Sequence, residues 1–236
     1  MSEHRAFYEA GYSLEDRSEA DLMGRWRALG ARSKGAHVAE LCARASLRPA
    51  TVVEIGCGDG ALLAELSARG LTPALDGFEL SGPAAEIARS RQIPGARRIE
   101  AYDGARVPAE DGAYDLAVLS HVLEHVEDPA ALLSEAARVS RAVVVEVPLE
   151  ANRSAARAAK REQAARIGHV QFLDRGAVHA LVASAGLAIA AELSDPLPYA
   201  HHAFFAANPR GAVRGEERGV GVGEGVAELG GDRQTR

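Results

Sequence analysis

In Val52-Val53-Glu54-Ile55-Gly56-Cys57-Gly58-Asp59-Gly60, a run of strand-forming residues passes directly into three glycines at alternate positions. An Ala/Leu-rich stretch with Leu62, Leu63 and Leu66 follows at helical spacing. The pattern predicts a strand over Thr51 to Ile55, a turn, and a helix. Glycines supply turn dihedrals that other residues avoid and let backbone come close to a ligand where a Cβ would collide. A turn at the carboxyl end of a strand is also where open α/β sheets bind ligands.

The alternation continues along the chain. Ala74 to Leu80 predicts a second strand, followed by a helix that Ser81 caps and Pro83 begins. Arg98 to Ala101 predicts a third strand and Asp115 to Ser120 a fourth, whose Leu-Ala-Val-Leu run suits burial on both faces. Pro129 to Val139 predicts a helix, and Ala142 to Val147 a fifth strand that Pro148 ends. Five strands alternating with helices imply a parallel sheet covered on both faces, joined by right-handed crossovers. Ala151 to Arg166 predicts a long polar helix, and Asp174 caps another that Gly186 closes. Leu187 to Leu193 and His201 to Ala206 read as a hairpin joined by Ser194 to Pro198, which adds an antiparallel end. The expected fold class is α/β, a seven-stranded, mostly parallel sheet with one antiparallel strand and an N-terminal helical cap.

The expected division is a cap over residues 1–48, a ligand-binding domain over 49–207, and a disordered tail over 208–236. In the cap, Leu22, Trp26 and Leu29 share one helical face, while Val38, Leu41 and Ala45 form a second stripe. From Arg210 onward the chain has many glycines, scattered charges and no aromatic residue.

A chain of 236 residues can bury one substantial core. Its net charge of -6 gives no general attraction to phosphate backbones, so a nucleic acid is not the expected partner. No apolar run approaches the roughly 20 residues that span a bilayer, and the start lacks an apolar signal core; a cytoplasmic protein without a membrane span is expected. Two cysteines, Cys42 and Cys57, are expected as reduced thiols. Oligomeric state is not legible.

The glycine spacing separates two cofactor classes. A dinucleotide site carries G-x-G-x-x-G, which would make an NAD-dependent oxidoreductase the alternative, whereas here the spacing is Glu54-x-Gly56-x-Gly58-x-Gly60. That motif resembles the first motif of class I, Rossmann-like methyltransferases that use S-adenosyl-L-methionine (SAM). The resemblance extends to Ala113-Tyr114-Asp115-Leu116-Ala117-Val118-Leu119-Ser120-His121-Val122-Leu123-Glu124-His125-Val126, similar to the fourth-strand motif of ubiquinone/menaquinone-biosynthesis-like small-molecule methyltransferases. It implies that SAM is the cofactor, that Glu54 suits its ammonium group, and that Asp103 lies against the adenine amino group. Glu79, at the end of the second strand, can accept both hydrogen bonds of a ribose diol; Asp76 lies inside that strand and is the weaker candidate. The cofactor-binding set is then Glu54, Gly56, Cys57, Gly58, Gly60, Glu79, Leu80, Asp103, Gly104 and Ser120.

Three histidines, His121, His125 and His169, are candidate bases for methyl transfer to an O, N or C nucleophile, with His169 favoured. His121-x-x-Glu124-His125 also matches an inverted zinc-peptidase signature, a zinc hydrolase alternative. Its place at a strand-to-loop junction argues against that reading, and no metal is expected. The Asp/Asn-Pro-Pro-Tyr/Phe stretch typical of DNA-amine methylation is absent after the fourth strand. A small metabolite or natural product is therefore the expected acceptor. Arg153, Arg157 and Arg161, with Lys160 and Arg166, form a basic helical stripe that could meet an anionic group on it. Phe7, Tyr8, Tyr12 and Trp26 are expected to close an apolar wall.

Overall fold

The computed structural model describes residues 3–13, 17–149, 162, 167–195 and 201–207; of residues 201–207 it describes the backbone. Two helices, α1 (Glu3–Tyr12) and α2 (Arg17–Arg44), precede β1 (Thr51–Ile55), α3 (Ala61–Ala68), β2 (Ala74–Glu79), α4 (Gly82–Ser90), β3 (Ala96–Ala101) and β4 (Tyr114–Ser120). A 3-10 turn at Leu123–His125 leads into α5 (Pro129–Val139), β5 (Ser140–Pro148), α6 (Arg175–Ser184), β6 (Ala188–Asp195) and β7 (His201–Ala207). The predicted helix over Ala151 to Arg166, its basic stripe and the predicted tail lie outside the described residues, apart from Glu162.

The sheet runs β3-β2-β1-β4-β5-β7-β6. Its body is the five parallel strands from β3 to β5. β7 lies antiparallel to both β5 and β6 at the far edge. Chain order reverses between β1 and β4, so the crevice outside their carboxyl ends is the topological switch point of the fold. The glycine turn leaves β1 at that point.

Successive residues of the central strands face opposite layers, because side chains alternate along a strand. Val53, Ile55, Ala117, Leu119, Val143 and Val145 pack with Leu132, Leu133 and Ala136 of α5 and Val178 and Val182 of α6. Val52, Leu116, Val118 and Val144 pack on the other side with Val38, Leu41 and Cys42 of α2 and Leu62, Leu63 and Leu66 of α3. Each fully buried leucine or valine stabilises the fold by about 1.5–3 kcal/mol. Helix starts are set locally: Ser81 Oγ accepts from Ala84 N, Asp128 Oδ1 from Ala131 N, and Asp174 Oδ1 from Ala177 N.

Only the second apolar stripe of the cap is buried. Val38 and Leu41 are fully covered, whereas Leu22, Trp26 and Leu29 are more than 60% exposed. The carboxyl-terminal half of α2 lies on α3 and the sheet, and its amino-terminal half reaches the turn after β1 through Arg27. Both cysteines are buried free thiols. Among the described residues no helix is long and apolar enough to cross a membrane.

Gly77 sits where the packing leaves no room for a side chain. In β2 it pairs with Glu54 of β1, and a Cβ there would lie 2.7 Å from Leu63 Cδ1 and 2.9 Å from Cys57 Sγ. Gly77→Ala should lower unfolding free energy by about 1–3 kcal/mol through overpacking, as read from urea denaturation midpoints at unchanged slope.

Candidate functional site

The three glycines of the turn all have positive φ, 79° at Gly56, 53° at Gly58 and 76° at Gly60, a region in which a Cβ is strained. Their surroundings differ. A Cβ on Gly56 would lie 2.6 Å from a Val122 methyl, and one on Gly60 would lie 2.9 Å from the Ala88 Cβ and 3.2 Å from its Cα. These two glycines allow the 121–122 loop and α4 to approach the turn. On Gly58 a Cβ would meet the Tyr12 hydroxyl at 2.7 Å. The middle glycine thus forms a shallow cradle against which the cap places one tyrosine.

Glu79 holds the turn from below. Its Oε2 accepts from Gly58 N at 2.8 Å and its Oε1 from Ser81 N at 2.9 Å. Burial pushes its carboxyl pKa up, and the backbone N–H groups pull the other way. Gly56 N and Cys57 N both donate to Phe78 O, which ties the turn to the end of β2.

Glu54 stands apart from the other acids of the turn. It is 3% exposed, and its Oε2 has no hydrogen-bond partner among the described residues. Burial raises its pKa well above the ordinary carboxylate value, while Lys34 opposes the rise and Glu79 and Asp59 add to it. Asp59, equally buried, is by contrast fully engaged. Its Oδ2 receives Arg27 Nε at 2.9 Å and Arg91 Nη2 at 2.8 Å, and its Oδ1 accepts from Ala61 N. Arg27 also lies over the Tyr12 ring, 4.8 Å from its centroid. A small cavity of about 190 Å³ between cap and turn is lined by Tyr12, Gly24, Arg27, Asp59 and Arg91.

The remaining expected cofactor residues are placed unevenly. Cys57 is buried, with its thiol pKa pushed up by burial. Gly104 has φ 83° and would put a Cβ 3.2 Å from Leu80 Cδ1, so these two meet. Asp103 is exposed, and its Oδ1 accepts from Ala105 N and Arg106 N, closing the turn after β3. Ser120 donates to Glu146 Oε2 at 3.1 Å, and Glu146 Oε1 lies 3.1 Å from His37 Nδ1. Asp76 is held inside the sheet by Arg97 and by the Tyr114 hydroxyl, away from the turn. The larger surface cleft, about 940 Å³, is lined by Asp76, Arg97, Arg98 and Arg138 and does not touch the glycine turn.

All three candidate histidines converge on Glu124. His121 has a positive φ of 57°, unusual for a side chain of this size, and its Nδ1 is 3.1 Å from Glu124 Oε1. His125 Nδ1 is 3.1 Å from Gly168 O, and its ring stands edge-on to His169 with centroids 4.7 Å apart. Val170 N and Gln171 N both donate to Glu124 O, which fastens the 167–172 segment to the 3-10 turn. Burial lowers the pKa of His121 and of His125. For Glu124 burial acts upward, but His121, His125 and its own backbone N–H together outweigh it and leave the carboxyl below its ordinary value. His121-x-x-Glu124-His125 is thus split between a strand end and a 3-10 turn, without the α-helix that the zinc-peptidase signature needs.

The expected aromatic wall does not form from Trp26, which is 68% exposed. The Phe7 and Tyr8 side chains lie outside the described residues. Tyr12 does reach the glycine turn, at Gly58. Sequence reasoning missed Arg27, Arg91, His37 and Glu146; the last shows in sequence as a charge inside Val143-Val144-Val145-Glu146-Val147.

A parallel sheet with a glycine turn at its switch point defines a Rossmann-like α/β fold of the methyltransferase type. A family model described as a methyltransferase domain matches residues 25–192, so the chain belongs to that family, within the class I, SAM-dependent methyltransferases. It is 34% identical over 102 residues to the ubiquinone biosynthesis O-methyltransferase of Thiobacillus denitrificans, covering 41% of this chain and 42% of that one. The same enzyme of Nitrosomonas europaea is 31% identical over 93 residues, 38% of each chain. The chain spans between 27% and 42% of the length of the curated relatives it matches. Its fold is shared with a putative methyltransferase of Haloferax volcanii, solved in complex with the Trm112 methyltransferase activator. That match has a TM-score of 0.63 at 17% identity and covers 89% of this chain and 99% of that one.

The raised pKa of Glu54 has a stability consequence. Its folded value lies above the unfolded one, so between the two the folded state binds more protons and stability falls as pH rises. Glu54→Gln should remove that slope and raise the ligand-free melting temperature at neutral pH, as measured by thermal denaturation from mildly acidic to neutral pH.

Proposed function

We propose that the chain binds SAM over the Gly56–Gly60 turn and transfers its methyl group to an oxygen of a small metabolite or natural product. The observation that carries this reading is the buried Oε2 of Glu54 at the switch point, which has no hydrogen-bond partner among the described residues. A buried acceptor without a partner costs about 1–3 kcal/mol, and the ammonium group of SAM would satisfy it. The Gly58 cradle supplies the close backbone approach. Glu79 would take the ribose hydroxyls, exchanging part of its hold on Gly58 N and Ser81 N, while Leu80 and Gly104 flank the adenine. Asp103, occupied with its own turn, would contribute less.

SAM supplies an electrophilic methyl group when bound, so this chain's main task is to orient the acceptor and manage its proton. The His121, His125 and His169 cluster, at the neighbouring end of β4, would serve that task. A hydroxyl acceptor benefits most from such a cluster, because oxygen reacts better as its anion. The names of the two ubiquinone biosynthesis relatives agree with an oxygen acceptor. The net charge of -6 favours a small molecule over a nucleic acid. Neither the NAD-dependent oxidoreductase nor the zinc hydrolase alternative accounts for the family match.

Calorimetric titration with SAM should show binding, and Gly58→Val should abolish it. Glu79→Ala should weaken affinity at least tenfold while the fold survives, about the loss expected for one charged hydrogen bond. His169→Ala should leave SAM affinity nearly intact but depress methylation of a hydroxylated metabolite panel followed with radiolabelled SAM. Binding of NAD without SAM, or methylation confined to protein or RNA, would refute the assignment.

A further inference from the structure

The cluster around Glu124 has more in common with a metal site than with a set of independent bases. One oxygen of Glu124, one ring nitrogen of His125 and one of His169 all lie within 4.8 Å of one another. Around a first-row metal, donors about 2.0–2.1 Å from the ion end roughly 3.4 Å apart, so small side-chain rotations would close the set. Both oxygens of Glu124 are buried and lack a hydrogen-bond partner among the described residues. His121 Nδ1 lies 3.1 Å from Oε1 as an ion-pair contact, which leaves Oε2 unmet among the described residues. A carboxylate left this way inside a protein is costly unless something cationic completes its surroundings.

The supporting contacts have the form expected around metal ligands. The Nδ1 of His125 faces Gly168 O at 3.1 Å, so it can donate there, and this tautomer would direct Nε2 to an ion. Glu124 is fixed by its own backbone, since its carbonyl accepts from Val170 N and Gln171 N. These bonds hold the segment carrying His169 against the turn carrying His125. His125 and His169 are only partly buried, so one side of the cluster is open to solvent.

We infer that Glu124, His125 and His169 form a binding site for a divalent transition-metal ion, with open coordination positions for an oxygen of the acceptor. Two imidazoles and one carboxylate suit zinc, iron, nickel or cobalt better than magnesium or calcium. His121, in contact with the same carboxylate, is a positioning residue. Metal ligation would hold an acceptor hydroxyl at the end of β4 and lower its pKa; this use of the ion, though not its binding, rests on the methyl-transfer reading.

The test is cobalt(II) titration of the full chain after chelator treatment and dialysis, without SAM, followed by visible d–d absorption and by calorimetry. A single equivalent of cobalt should bind. Glu124→Gln and His169→Ala, each checked for folding by thermal denaturation, should lose at least tenfold in affinity, while His179→Ala, remote and paired with Glu192, should bind as the wild type does. No cobalt absorption in the wild type, or equal affinity in folded Glu124→Gln, would overturn the site. SAM binding to the metal-free protein is measured separately. SAM binding without cobalt binding removes the metal site alone, and cobalt binding without SAM binding supports the site while counting against methyl transfer.

Discussion

One carboxylate ties together the carboxyl ends of the strands at the switch point. Glu79 ends β2, yet its two oxygens accept from the glycine turn after β1 and from the start of α4. Two βα junctions that sequence separates by 21 residues become one surface. Without this bridge, Gly58 at positive φ would face the crevice with an unpaired N–H and only weak restraint on its position. The bridge also explains why burial of an acid is tolerated here: backbone N–H groups replace the water that Glu79 loses.

Buried acids recur across the sheet and its turns, and what each meets separates those that hold elements together from those with hydrogen-bonding capacity to spare. Asp59 is saturated by Arg27, Arg91 and Ala61 N, and Asp76 by Arg97 and Tyr114. These acids hold elements together. Glu54 and Glu124 retain buried oxygens without hydrogen-bond partners among the described residues. They flank the switch point, Glu54 on β1 and Glu124 just beyond β4, on the two strands whose connections diverge. Among the described acids, unmet hydrogen-bonding capacity is therefore concentrated where the topology opens a crevice.

The sheet was legible because burial on both faces forces near-continuous apolar strands, as in Leu116-Ala117-Val118-Leu119 and Val143-Val144-Val145. The strand over Thr51–Ile55 and the caps at Ser81 and Asp174 were readable for local reasons, since their signals lie within a few residues. The cap was less so. Leu22, Trp26 and Leu29 have the same periodicity as Val38 and Leu41, and periodicity does not say which stripe meets the sheet. Pairings across long separations, such as Arg27 with Asp59 or His37 with Glu146, leave no local trace at all. The three histidines could be named as candidates, but their convergence on Glu124 depends on the backbone bonds of Val170 and Gln171, which only the fold supplies.

The cap is bound to the chemistry of the turn through a short chain of contacts. Tyr12 rests on the Gly58 cradle, Arg27 lies over the Tyr12 ring, and the same Arg27 is paired with Asp59 in the turn itself. Tyr12 is flanked by Glu79 and Asp59, and burial together with these charges holds its hydroxyl pKa above the ordinary tyrosine value. A neutral phenol at that position can donate a hydrogen bond into an acidic surrounding, which a tyrosinate could not. Displacing it would expose Glu79 and Gly58 to solvent and leave Arg27 with one partner fewer. The position of α1 and the electrostatics of the glycine turn are thus coupled, and anything occupying the cradle must either include the Tyr12 hydroxyl among its contacts or move the helix that carries it.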